Sequence, residues 1–584
     1  MKNLKKILFL ITNRERKLAY LLIVMILIMS LLEMIGVASI FPFMSVLANP
    51  DIIETNIILK KIFDYSKIFG VTNYQQFLFF LGIFVFLLLV ATLFFKALTT
   101  YAQARFCQMR EYTISIRFVE GYLNQPYSWF LSRHSSDLGN TILSEVAIVV
   151  GRGIVPMMEI ISKGFTTIAI LTLLIIADPK LALTVFFFIG LSYGIIYKFS
   201  YRYVNRLGKE NLKSNKLRFN VISEAFSAIK QIKLKGLEHI YLKNYSNPAQ
   251  TFARNQTTAV VISQLPRFFL EAIAFGGIIL MLLYLIIKKD GFNNALPLIS
   301  LYVFAGYRLL PAMQQIYHAL INLTFVGPSL ERLCNDIIIF RKPLDPNLSQ
   351  DIFLFNKSIV LKKICYNYPN QTRTALKDIS IEIPYKAKVA LVGPTGSGKT
   401  TIIDIILGLL KAQSGTLEID GKVITKQNLK SWQRLIGYVP QHIYLSDDTI
   451  AANIAFGVDS NFINQEVIEN VSKIANLHNF INNELPKKYH TLIGENGVRL
   501  SGGERQRIGI ARALYHQPKV LILDEATSSL DNQTEHAIID ALNNLKEDVT
   551  VIMIAHRLNT VKNCDFIFKI DKGKFVDKVL FEKL

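Results

Sequence analysis

Hydrophobic positions along this chain follow two different patterns. In the first 325 or so residues they come as long unbroken blocks, at 18–44, 77–95, 154–177, 181–201, 268–287 and 296–321, separated by polar stretches rich in lysine and arginine. A helix rises about 1.5 Å per residue, so each block is long enough to cross roughly 30 Å of hydrocarbon. Six membrane spans are predicted. Residues 51–75, where Ile53, Ile57, Ile62, Phe63, Tyr65 and Phe69 mix with Lys60, Lys61 and Asp64, read as an interfacial helix or a packed loop outside the membrane. Asp178-Pro179-Lys180 is too short to be anything but a turn between antiparallel spans. Beyond about residue 354 the blocks shrink to runs such as Val389-Ala390-Leu391-Val392 and Val520-Leu521-Ile522-Leu523, which read as buried strands, with helical periodicity after them. The pattern predicts an α-helical six-span transmembrane domain over 1–340 with cytoplasmic coupling loops, a linker over 341–353 that carries Pro343 and Pro346, and an α/β domain over 354–584.

Composition agrees with a chain partly in a membrane. Of 584 residues, 51% are hydrophobic, and the mean hydropathy of +0.32 exceeds that of ordinary soluble proteins. The formal net charge of +21 could suggest nucleic acid. In a membrane protein its plainer cause is lysine and arginine on cytoplasmic segments, here Arg206, Lys209, Lys213, Lys216, Lys230, Lys233 and Lys235 between spans four and five. No nucleic-acid partner is expected, and both termini are placed inside. Cys107, Cys334, Cys365 and Cys564 lack C-x-x-C spacing, which points to neither a zinc site nor a disulfide framework.

The candidate chemistry lies in the second half. Gly393-Pro394-Thr395-Gly396-Ser397-Gly398-Lys399-Thr400 fits the phosphate-binding loop G-x-x-x-x-G-K-[ST], between a predicted strand and a helix that begins at Thr401. Such glycines let backbone N–H groups converge on phosphates, Lys399 adds a point charge, and the Thr400 hydroxyl can ligate Mg²⁺. ATP and Mg²⁺ are the expected cofactors. Asp524 and Glu525 end the second strand, where one carboxylate can hold the metal and the other can polarise an attacking water. Between the two motifs stands Leu500-Ser501-Gly502-Gly503-Glu504.

This ordered set resembles the ATPases of ABC transporters, whose signature is close to LSGGQ, and identifies the second half as an α/β P-loop ABC ATPase domain. Further matches follow in the family's order: Tyr368, Gln441, Gly494-Glu495, Ser529-Leu530-Asp531 and His556. The resemblance implies that Tyr368 stacks on adenine, that Gln441 senses Mg²⁺ and the membrane domain, and that Glu525 is the general base. It also implies that His556 contacts the γ-phosphate and that Asp531 communicates across a dimer. Glu504 replaces the usual Gln. Because its chemistry rests on Ser501 and the Gly502 and Gly503 amides at a helix N-terminus, the signature is expected to work regardless. Six spans with one ATPase domain resemble a half-transporter of the exporter type, which implies a homodimer. In this family each ATP lies between one subunit's phosphate loop and the other's signature. The polar stretches around Ser135-Ser136-Asp137 and Ser223 to Lys230 resemble the family's cytoplasmic coupling helices, which implies that they dock near Gln441.

Short stretches go further. Ala38-Ser39-Ile40-Phe41-Pro42-Phe43, Leu265-Pro266-Arg267-Phe268-Phe269-Leu270-Glu271 and Tyr307-Arg308-Leu309-Leu310-Pro311 resemble bacterial flippases of lipid-linked oligosaccharides. That resemblance implies an anionic lipid-linked cargo, contact with membrane lipids, and residence in the bacterial cytoplasmic membrane with the ATPase domain in the cytoplasm. Counting along the spans puts Lys96 and Arg267 near the inner leaflet and Arg308 just past the midplane. Intramembrane charges commonly line a cavity, and a diphosphate would suit these three. The alternative is that Arg267 pairs with Glu271 one turn along and that Glu33 neutralises another. A peptide or another amphipathic lipid is the rival cargo. A channel or receptor on the same fold is the more distant alternative.

Overall fold

The computed structural model describes residues 2–288, 292–340, 355–369, 374–494, 497–525, 548–555, 561–562 and 564–579. The chain forms two compact units, one of Met1–Gln125 with Arg133–Lys342, the other of Pro126–Ser132 with Pro343–Leu584. The predicted linker, 341–353, lies outside the described residues.

The first unit is all helix. A short α1 (Lys2–Leu10) precedes α2 (Asn13–Ala38), whose start is fixed by a capping box in which Glu15 Oε2 accepts the Thr12 N–H at 2.8 Å. The predicted first span runs across α2 and α3 (Ile40–Ala48). The two are separated at Ser39, where the hydroxyl donates to the Gly36 carbonyl and competes with the helical ladder. The next segment forms α4 (Ile57–Ser66), capped by Asn56 and packed through Leu59 and Phe63 onto Phe77, so it is both helical and packed.

The remaining spans lie in α5 (Tyr74–Leu123), α8 (Val155–Ala177), α9 (Pro179–Ser227), α11 (Glu238–Lys288) and α12 (Phe292–Phe325), followed by α13 (Gly327–Phe340); α8 matches its apolar block, whereas α5, α9 and α11 run far beyond theirs. The 50 residues of α5 extend about 75 Å, more than twice the hydrocarbon thickness. The coupling segments expected as loops are therefore largely continuations of the spanning helices, interrupted at Ala228 and at Gly236. Three helical stretches, Asn13–Ala48, Tyr74–Leu123 and Ser135–Ala177, are long and apolar enough to cross a membrane among the described residues. The turn at Asp178 is as tight as expected. Its carbonyl accepts from the Ala182 N–H and from the Tyr302 hydroxyl, which ties the corner to α12.

Two further details depart from expectation. Ser135-Ser136-Asp137 begins α7 (Ser135–Asn140) and packs within the helical unit, Ser136 donating to Asn220 and Lys216 pairing with Asp137 at 2.6 Å. The stretch that groups with the ATPase half is instead Pro126–Ser132, which contains the short helix α6 (Tyr127–Phe130). The second candidate, 223–230, falls at the break between α9 and α10 (Ile229–Lys235), within the helical unit.

In the second unit a six-stranded sheet has the order β10-β9-β3-β8-β7-β6, and a four-stranded antiparallel sheet the order β2-β1-β4-β5. The strands are β1 (Ser358–Tyr366), β2 (Leu376–Pro384), β3 (Lys388–Val392), β4 (Ser414–Ile419), β5 (Lys422–Val423), β6 (Ile436–Val439), β7 (Val520–Asp524), β8 (Thr550–Ile554), β9 (Phe566–Asp571) and β10 (Lys574–Val579). In the larger sheet every pairing but β9 with β10 is parallel. Strands β7 and β8 are buried at every residue, as expected for a parallel sheet covered on both faces.

One close approach in the helical unit is testable. A Cβ on Gly208 of α9 would run into the carbonyl of Phe325 at the end of α12. Gly208→Ala should therefore destabilise the helical unit by about 1–3 kcal/mol, the usual cost of overpacking. Thermal unfolding in detergent would show this as a lowered midpoint, and an unchanged midpoint would mean the two helices are not held at that distance.

Candidate functional site

The phosphate loop joins the end of β3 to α14 (Lys399–Ile406), because the chain must leave a buried strand and re-enter a helix within six residues. Gly393 (φ 155) and Gly398 (φ 108) allow this: a Cβ on the first would meet the Ile570 carbonyl, and one on the second the Leu376 side chain. Lys399 folds back so that its ammonium donates to the carbonyls of Gly393 (2.9 Å) and Pro394 (3.0 Å). Burial pushes this ammonium below its ordinary pKa, and the charges of Glu525 and Asp524 oppose that shift. The Ser397 carbonyl accepts from the Gly573 N–H and so closes the loop against the strand β9 to β10 turn.

Beside the loop is a cavity of about 610 Å³. Thr395, Gly396, Gly398, Lys399, Thr400 and Thr401 form its floor, and Tyr368 stands at one side with its hydroxyl 3.0 Å from Thr401 Oγ1. Gln441 and Glu525 close the other side, where the Gln441 amide nitrogen donates to Glu525 Oε2 at 2.7 Å. Glu525 follows β7 with φ 49, a backbone state uncommon for a side-chain-bearing residue and one that aims the carboxylate off the strand end. Asp524 is buried one residue earlier and accepts from the Tyr438 hydroxyl at 3.4 Å. Burial and then the charge of Glu525 raise its pKa. Thr400 and Gln441 line the cavity, and the charge of the buried Asp524 acts on Lys399; hydroxyl, amide and carboxylate oxygens are hard donors, a set whose chemistry suits Mg²⁺.

The signature opens helix α15 (Gly502–Tyr515) with Ser501 as its N-cap. The Glu504 N–H donates to Ser501 Oγ at 3.3 Å, and Glu504 Oε2 accepts the Ser501 N–H at 2.7 Å. The carboxylate that replaces glutamine therefore completes a capping box, in which an anion at the third helical position is favoured. Gly502 and Gly503 fill the first turn, whose N–H groups have no partner within the helix. None of these four residues lines the phosphate-loop cavity of the same chain. Glu495, Ser529, Leu530, Asp531 and His556 lie outside the described residues.

In the helical unit Lys96 and Arg308 meet on one carboxylate. Glu33 Oε1 accepts from Lys96 Nζ at 2.7 Å and from Arg308 Nη1 at 3.4 Å, while Thr166 donates to Glu33 Oε2 at 3.0 Å. Both side chains thus reach the same Glu33 oxygen, although counting along the spans set them at different depths. Arg267 does not join them. Its guanidinium donates to Glu271 at 2.6 Å, one turn along the same helix and half-exposed. The grouping of three cations expected from the sequence is thus two cations with a shared acid.

Some residues were not singled out from the sequence. Thr374, Ala375, Lys572 and Gly573 complete the nucleotide-sized cavity, and only folding brings them there. Asp404 is buried in α14 near Asp524, and burial together with the Asp524 charge pushes its carboxyl up to about 6. Its signal was legible, since it is a lone acid within Ile402, Ile403, Ile405 and Ile406.

Comparisons with known proteins agree with this geometry. The family model for the ABC transporter transmembrane region matches residues 39–306, and that for the ABC transporter matches 376–528. An ATP-dependent lipid A-core flippase of Cupriavidus pinatubonensis is 31% identical over 471 residues, covering 79% of this chain and 78% of that protein. Another of that name from Saccharophagus degradans is 31% identical over 453 residues, 77% of this chain and 75% of that one. The structure of a bacterial Atm1-family ABC exporter with ATP bound matches 98% of this chain and 96% of that one, with a TM-score of 0.74 at 21% identity, which shows a shared fold.

Asp404 gives the site a pH signature. Its folded-state value lies above the usual 3.8, so the stability it contributes is full below the ordinary carboxylate range and is lost as pH rises through about 6. Asp404→Asn should gain stability over the parent between pH 5 and pH 8, on the order of 1–1.5 kcal/mol. Nucleotide-free unfolding at both pH values measures this, and a difference that does not change with pH would show that Asp404 titrates normally.

Proposed function

The chain belongs to the ABC transporter family, and from that premise we propose that it is a homodimeric, ATP-driven flippase for a polyprenyl-diphosphate-linked oligosaccharide. It carries this lipid from the inner to the outer leaflet of a bacterial cytoplasmic membrane. The chain is an exporter whose ATP hydrolysis is coupled to transport. The cargo is a reading of one observation, the drawing of Lys96 and Arg308 onto one point of the helical unit. A charge facing lipid at the bilayer centre costs on the order of 2.5–3.5 kcal/mol, so the two cations need an anion; Glu33 supplies a single negative charge to both, which leaves one positive charge for an anionic cargo. Guanidinium and ammonium groups both suit phosphate oxygens. Arg267 is left out of this subsite because Glu271 already holds it.

In the ATPase half, Tyr368 offers a ring for adenine, and the loop amides with Lys399 bind the phosphates. Thr400, Gln441 and Asp524 would hold Mg²⁺, which would supply positive charge to offset that of the phosphates. Glu525 takes the proton of the attacking water, and its bond from Gln441 keeps the carboxylate turned into the cavity. Ser501 and the Gly502 and Gly503 amides serve the γ-phosphate held by a second copy, because they lie off the cavity of their own chain. Asp531 and His556 are assigned to the same composite site, the first as the dimer contact and the second on the γ-phosphate.

The relatives' name favours a second reading, a lipid A-type glycolipid. Purified protein in nanodiscs, with ATPase measured against a polyprenyl-diphosphate glycan, lipid A and a peptide, separates the readings. The first should stimulate most, and stimulation by lipid A alone would overturn the cargo reading.

Two substitutions test the parts. Glu525→Gln should keep ATP binding while turnover falls by at least about a hundredfold; steady-state hydrolysis near the parent rate would remove Glu525 as the base. Lys96→Gln with Arg308→Gln should abolish flipping while basal ATPase survives, since each charge-assisted contact to phosphate contributes about 1.5–3 kcal/mol. Normal flipping by a stable double variant would eliminate the headgroup subsite.

A further inference from the structure

Glu33 has no part in the machinery described so far, yet four helices meet on it. It lies on α2, Lys96 on α5, Thr166 on α8 and Arg308 on α12. Both carboxylate oxygens are engaged, and Thr166 is fixed in turn by Ser30, 3.3 Å away. The carboxylate is surrounded by an ammonium, a guanidinium and a hydroxyl, the same set of donors that a phosphate oxygen would take.

Exposure separates the partners. The Glu33 side chain is 1% exposed, whereas Arg308 is 20% and Lys96 32% exposed. The acid therefore lies behind the cations and the cations lie in front. Lys96 also lines a cavity of about 350 Å³, together with Lys163, Glu159, Gln103, Gln108 and Gln315. Among its lining residues Lys96, Lys163 and Glu159 leave a formal surplus of one positive charge beside amides suited to hydroxyl-rich groups, and the Glu33–Arg308 pair behind Lys96 adds no net charge. A carboxylate needed only to clamp helices would be satisfied by one cation. This one takes two, and the Arg308 contact at 3.4 Å is long for a charge-assisted bond.

We infer that Glu33 is an internal counter-anion occupying the place of the cargo's acid group on Lys96 and Arg308, so that loading transfers these cations from carboxylate to substrate and release returns them. The inference rests on the cargo-subsite reading above and adds a specificity-determining residue to it. Glu33 lowers affinity for anions in general, which keeps the site free of ordinary anionic lipids and lets the cargo leave.

The test uses full-length protein in phosphatidylcholine nanodiscs, titrated with labelled polyprenyl diphosphate and with the uncharged polyprenol. Glu33→Gln should bind the diphosphate at least about tenfold more tightly than the parent, as expected when a competing buried charge is removed. Binding of the polyprenol should not change. In the flipping assay the same variant should show a lowered KM and a lowered kcat, because release becomes slow. Glu33→Asp should restore parental affinity. Thr166→Val, which takes a hydrogen bond from Glu33 Oε2 without removing the acid, leaves the carboxylate more dependent on Lys96 and Arg308 and should weaken diphosphate binding without changing polyprenol binding, and it decides the matter if Glu33→Gln does not fold. A purely structural role would weaken binding of both lipids along with stability. Diphosphate affinity equal to or below the parent's in Glu33→Gln, or equal to or above the parent's in Thr166→Val if that variant must decide, overturns the inference. If the parent binds neither lipid while Glu33→Gln gains the diphosphate, the cargo reading fails and the counter-anion role stands.

Discussion

Hydrocarbon holds no water to satisfy a backbone N–H or an isolated charge, and the architecture of the first unit follows from that constraint. Backbone groups are satisfied within helices, the one solution open to a chain that crosses as separate spans. Charges within the spans are satisfied by one another, which is why Glu33, Lys96 and Arg308 converge. Outside the membrane the same helices continue into water, where Arg206 with Glu210, and Lys233 with Glu238, sit exposed and contribute little.

The second unit meets the opposite demand, which is to present unsatisfied backbone to a ligand without unravelling. The phosphate loop does so with glycines that no other residue could replace at Gly393 and Gly398, because backbone and side-chain atoms fill the space a Cβ would need. The signature does so with a helix N-terminus secured by Ser501 and Glu504. That pair explains why a glutamate is tolerated where glutamine is usual. The acid is drawn toward the helix start and spends one of its oxygens on the Ser501 N–H. Gln441 and Glu525 provide a third arrangement, in which two residues 84 apart in sequence become direct partners.

These two units share one logic of charge. In each, a cation held in waiting by the protein's own oxygens stands where phosphate is expected: Lys399 on the carbonyls of its loop, and Lys96 and Arg308 on Glu33. On the readings proposed above, a protein oxygen keeps the cation oriented and partly neutralised until a ligand oxygen replaces it, which would preserve the site's geometry at low desolvation cost.

The sequence by itself determined the elements whose physics is local. Apolar blocks long enough to cross a bilayer set the spans, Asp178-Pro179 set a tight corner, and the phosphate loop, the Asp524-Glu525 strand end and the signature declared the ATPase, since spacing and residue type suffice for each. Glu33 and the Arg267–Glu271 pair were also legible, because an acid in an apolar run and a charge one helical turn from its opposite need no fold to be noticed. Tertiary structure decided the rest. It carried polar segments onward as helix where loops were expected, chose Pro126–Ser132 over Ser135-Ser136-Asp137 as the stretch that joins the ATPase half, and placed Thr374, Ala375, Lys572 and Gly573 at the nucleotide cavity. It also put Lys96 and Arg308 on one carboxylate while leaving Arg267 apart. The physical reason is range: capping, turns and helical pairs act within about four residues, whereas a cavity or a shared counter-ion depends on which distant helices pack side by side.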